Sequence, residues 1–130
     1  MATWHDITEA VAALPETEQG TAYGLRAWRI RRKLLVWERP LRAADLNALA
    51  PLVPQGDIVG LPTQSVEERE DLIALFPDAF FTTPHFDNHT AVLARLDTLP
   101  VDVLTRLIRQ AWMRSAPRRL VKAFAKAAST

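Results

Sequence analysis

Ile7, Val11 and Leu14 recur at helical spacing behind Thr3 and Asp6, a hydroxyl and an acid three residues apart that suit a helix start. They predict a helix from Trp4 to Leu14, stopped by Pro15. Glu16–Gly20 has no apolar residue and reads as a polar connector. Ala27–Ile30 and Lys33–Trp37 are β-rich runs separated only by Arg31-Arg32, so a hairpin is expected. Two arginines suit a two-residue turn poorly, because such turns favour Gly or Asn for their positive φ. Either the loop is longer or the turn accepts strain. Arg42–Leu49 reads as a helix closed by Pro51 and Pro54, and Asp57–Leu61 as a short strand. Ser65 and Glu68 stand at capping positions for a helix reaching Leu75. Phe80-Phe81 and Ala91–Leu96 read as strands flanking a polar loop. Pro100 opens the longest helix, whose stripe is Leu104, Leu107, Ile108, Ala111 and Trp112. Pro117 restarts a last helix over Arg118–Lys126.

This order of elements predicts an α+β fold: a single compact domain with an antiparallel sheet packed by helices. At 130 residues, 48% of them apolar, the chain fits one domain over 1–126, with 127–130 expected to fray. The absence of cysteine excludes disulfides, thiolate nucleophiles and zinc-ribbon sites. No apolar stretch approaches the ~20 residues that span a bilayer, and no signal peptide is legible. A cytoplasmic protein without membrane contact is expected.

Net charge is only +1, but the charge is polarised along the chain. Seven basic residues lie between Arg26 and Arg42 against one acid, Glu38. Seven more follow Thr98 against Asp102 alone. The acids gather elsewhere, notably at Glu67, Glu68, Glu70 and Asp71.

The segment Phe80-Phe81-Thr82-Thr83-Pro84-His85-Phe86-Asp87-Asn88-His89 carries the densest candidate chemistry. On an extended backbone His85, Asp87 and His89 would point to one side and suit a divalent metal. Pro84 and Asn88 argue against such a backbone, and a loop held together by its own polar groups is the simpler reading, so no metal and no cofactor is expected. Thr82 or Thr83 with His85 and Asp87 offers hydroxyl, imidazole and carboxylate, yet a triad is defined in space rather than by adjacency. No nucleophile elbow, Walker motif or dinucleotide fingerprint is present. Enzymatic chemistry therefore has no recognisable constellation.

That segment, together with Glu18–Gly24, Glu38–Arg42, Ala91–Leu96, Ala111-Trp112 and Ala116-Pro117-Arg118-Arg119-Leu120, resembles the MmcQ/YjbR family of small bacterial proteins. The resemblance covers nearly the whole chain. It implies a compact α+β domain with an antiparallel sheet and a proposed double-wing arrangement. Family members are often labelled DNA-binding, and no established catalytic site comes with the family. Where many members have small residues at the hairpin turn, this chain has Arg31-Arg32.

The expected function is non-enzymatic, weak, backbone-directed DNA binding by a monomer or weak homodimer. Arg31, Arg32 and Lys33 would form one contact tip and Arg118, Arg119 and Lys122 another. A solvated basic face, or one paired with the acidic helix, is the bland alternative. The rival function is a small-ligand or protein-interaction module using Thr82, Thr83, His85, Asp87 and His89. The DNA reading requires both basic segments on one face.

Overall fold

In the computed structural model, which describes residues 1–86 and 89–128, five helices pack against a six-stranded sheet. The helices are α1 (Trp4–Ala12), α2 (Ala43–Leu49), α3 (Val66–Leu75), α4 (Val101–Ser115) and α5 (Arg118–Ala128). The strands are β1 (Thr17–Ala22), β2 (Leu25–Ile30), β3 (Lys33–Glu38), β4 (Ile58–Leu61), β5 (Phe80–Phe81) and β6 (Val92–Arg95). They are ordered β1-β2-β3-β4-β6-β5, and every neighbouring pair is antiparallel. The α+β expectation holds.

Local chemistry sets most boundaries. The Thr3 hydroxyl accepts the Asp6 N–H, and the Asp6 carboxylate accepts the Thr3 N–H, closing a capping box on α1. Ser65 caps α3 by accepting from the Glu68 N–H, while the Glu68 side chain reaches one residue further back, to the Gln64 N–H. Pro100 stands at the N-cap of α4, outside the helix proper. α5 runs to Ala128, and Ser129 and Thr130 lie outside the described residues.

The Glu16–Gly20 reading needs correction. Thr17–Ala22 is a strand, fully paired with β2 from Thr17↔Ile30 to Ala22↔Leu25. It is the sheet edge and its side chains are mostly exposed, so it needs no apolar alternation. Tyr23 and Gly24, both at positive φ, turn it into β2. The β2–β3 turn is as short as the sequence suggests, and Arg31 takes φ 56° to close it. The turn therefore accepts a left-handed arginine where glycine would fit without strain.

One sheet face carries the main core. Trp28, Ile30, Leu35, Val59 and Leu61 meet Ile7 and Val11 of α1 and Leu104, Ile108 and Trp112 of α4. Leu120, Val121 and Phe124 of α5 pack at its margin. The opposite face carries a smaller core of Ile58, Leu93 and Phe86, flanked by Leu41, Phe81 and Ala91. On that same face the Trp37 ring lies flat on Gly60, where a Cβ would come within 2.2 Å of the indole. Only glycine permits this approach.

Candidate nucleic-acid interface

Arg31, Arg32 and Lys33 form the exposed tip of the β2–β3 hairpin. Arg118, Arg119 and Lys122 are exposed on the first turns of α5. The helix is strongly amphipathic: Leu120, Val121 and Phe124 face inward, which turns the basic positions outward. The indole N–H of Trp112 donates to the Pro15 carbonyl at 3.0 Å, tying α4 to the segment that enters β1.

That segment holds Glu16, which sequence reasoning missed as a functional residue. Its Oε1 is 3.0 Å from Arg31 Nη2 and its Oε2 is 3.7 Å from Arg119 Nη2. One carboxylate thus bridges the hairpin tip and α5. Arg31 and Arg119, one residue of each basic segment, therefore lie on one face. Among the described residues Arg32, Lys33, Arg118 and Lys122 make no ion pair. The acidic helix does not cover this face. Glu68 and Asp71 of α3 instead share grooves with Arg106 and Arg114 of α4. No pattern marks Glu16 in the sequence, because it shares with Glu18 a stretch without apolar spacing.

Over Thr82–Phe86 the chain is built differently from the extended strand that a metal reading needs. Pro84–Phe86 forms a 3-10 turn and drops the Phe86 ring into the second core. His85 and His89 are exposed, their rings stacked 6.1 Å apart. Thr82 is half-buried and Thr83 fully buried. Asp87 lies outside the described residues. Among those described, no hydrogen bond joins either threonine hydroxyl to His85, and no three metal-ligating side chains gather.

Two buried arginines brace this loop from beneath. Arg69 of α3 donates through Nη1 to the carbonyls of Phe86 and His89, both at 2.7 Å. Its Nε and Nη2 engage the Glu70 carboxylate at 3.1 and 2.9 Å. Arg39 lies 5.5 Å over the Phe86 ring and pairs with Asp45 at 3.1 Å. Burial alone would raise the Asp45 pKa. The Arg42 N–H at 2.9 Å and the Arg39 guanidinium outweigh it and hold this carboxyl below its ordinary value. The buried Thr83 hydroxyl adds to this effect from beside Asp45, although it makes no hydrogen bond of normal geometry. Neither arginine was legible as a buried residue: Arg69 sits inside a run of acids, and Arg39 inside a basic stretch.

The sequence profile of the YjbR family matches residues 12–114. An uncharacterized protein of Mycobacterium tuberculosis (strain H37Rv) is 46% identical over 127 residues, which cover 95% of this chain and 96% of that protein. An uncharacterized protein of Mycobacterium bovis matches equally well. The crystal structure of the Deinococcus radiodurans protein DR2400, a DUF419 domain, superposes with a TM-score of 0.66 at 16% identity, over 98% of this chain and 88% of that one. At that identity the likeness concerns the fold alone. Among the described residues no helix is long and apolar enough to cross a membrane.

Proposed function

The chain belongs to the YjbR family, and we propose that it is a cytoplasmic, non-enzymatic protein that contacts the phosphates of duplex DNA. The contact face comprises Arg31, Arg32 and Lys33 of the hairpin tip with Arg118, Arg119 and Lys122 of α5. The observation that carries this reading is the Glu16 bridge, which puts a residue of each segment on one carboxylate. Four of the six cations have no ion pair among the described residues and are available to phosphate oxygens. Contact through phosphates alone makes this binding weak and indifferent to sequence.

Fluorescence anisotropy of a short labelled duplex, titrated at several salt concentrations, tests this. Log K should fall linearly with log salt, with a slope of about 0.9 per phosphate neutralised. The double reversal R31E/R32E should weaken binding by at least about ten-fold and lower the slope by about two contacts. Absence of saturable binding at low salt would remove the DNA reading, and unchanged binding in the double variant would remove the hairpin tip from it.

A second reading, a small-ligand or protein-interaction module at the Thr82–His89 loop, draws support from one observation. The exposed, stacked His85 and His89 rings stand on a loop that buried Arg39 and Arg69 hold in place. Imidazole chemical-shift changes on titration with candidate ligands would reveal it.

A further inference from the structure

Glu16 does more than report that two basic segments meet. Its carboxylate sits between two guanidiniums, at 3.0 Å from one and 3.7 Å from the other. A pair of guanidiniums converging on one acidic oxygen group binds carboxylate and phosphate by the same geometry. The position that Glu16 fills is therefore one that a backbone phosphate would fill. We propose that Glu16 is a resident competitor at a phosphate seat formed by Arg31 and Arg119, and that it holds the affinity of this face for DNA down. The inference rests on the DNA-binding reading and specifies how that face is tuned.

The bridge is suited to displacement. The side chains of Arg31, Glu16 and Arg119 are 52%, 44% and 70% exposed, so water screens their attraction. Both Glu16 and Arg31 stand at positive φ, 57° and 56°, where non-glycine residues are uncommon. Such conformations persist where the surroundings fix them, and they recur at binding sites. When a phosphate takes the seat, the carboxylate swings into solvent and remains as a nearby like charge. Glu16 thus opposes binding twice, by occupying the guanidiniums and by repelling the incoming anion.

The test compares wild type with Glu16→Gln, a neutral variant of the same shape, by duplex anisotropy across a salt series, with thermal midpoints as a folding control. E16Q should bind roughly two- to five-fold tighter at low salt, the range by which an exposed ion pair competes. Its salt slope should steepen by about one contact, since both arginines become free. Glu16→Asp, too short to span both partners, should fall between the two. If wild type binds and E16Q binds equally or more weakly, the competitor role is overturned while DNA binding stands; Glu16 is then a clip that positions the tip against α5. If neither protein binds at low salt, the phosphate seat and the DNA reading fail together.

Discussion

Asp45 and Arg39 form an ion pair with both side chains less than one-tenth exposed, and the Arg39 guanidinium lies over Phe86 of the second core. A buried pair of this kind contributes little against a well-packed apolar substitute, but losing one partner strands the other charge. Asp45→Asn leaves the Arg39 guanidinium buried without its counter-charge beside Phe86. It should lower stability by about 1–3 kcal/mol, measured by urea unfolding at neutral pH. The pH dependence has a defined sign. A carboxyl held below its ordinary value of 3.8 stabilises the fold at pH values above that point. That contribution is lost as pH falls through the lower, folded-state value. The unfolding curves of wild type and D45N should therefore converge as pH drops below about 4. A constant gap across that range would mean that the Asp45 charge is not what Arg39 requires. None of this is legible from residue types: a basic stretch and an acid in a short helix read as solvent-facing until β3, α2 and the 3-10 turn close over them.

At the scale of elements, what the sequence made legible was whatever carried a cap or an apolar stripe. α1, α3 and α4 were readable from Thr3, Ser65 and the Leu104–Trp112 stripe, because capping chemistry and burial act locally. β1 was not, because an exposed edge strand is stabilised by backbone pairing with β2 and owes little to its side chains. The basic tip and the basic helix start were both readable, but their convergence was not, since it depends on how α5 docks. That docking rests on Leu120, Val121 and Phe124, with Phe124 edge-on to Trp112 at 5.1 Å and Arg109 5.8 Å above its ring. Phe124 is half-buried, so Phe124→Ala should cost about 1–2 kcal/mol, below the value for a fully buried ring. The loss should be local. Hydrogen exchange should quicken along α5 while the β2–β3 amides stay protected, and DNA affinity should fall because Arg118, Arg119 and Lys122 lose their placement. Unchanged α5 protection would show that Phe124 does not anchor the helix.

Over the whole molecule the question is whether position or total charge governs binding. Formal net charge is +1, too small for a general attraction to DNA, so any binding must come from how charge is distributed. Its exposed cations stand in different environments. Arg106 and Arg114 face grooves shared with Glu68 and Asp71, where the local potential is mixed. Arg31 and Arg119, with Arg32 and Arg118 beside them in the chain, stand on a face whose one bridging acid among the described residues is Glu16. Two double reversals separate the alternatives. R31E/R32E and R106E/R114E each change two arginines by two charges, taking the net charge from +1 to −3. If net charge controlled binding, both would weaken it equally and shift the salt slope alike. If the face controls it, R31E/R32E should lose at least about ten-fold, whereas R106E/R114E should lose less than about three-fold and keep the wild-type slope. The Debye length of about 8 Å at physiological salt sets this contrast, because charges on another face are screened from a docked phosphate. Equal losses from both variants would place the attraction in the overall field, and the pairing of hairpin tip and α5 would then carry no binding meaning.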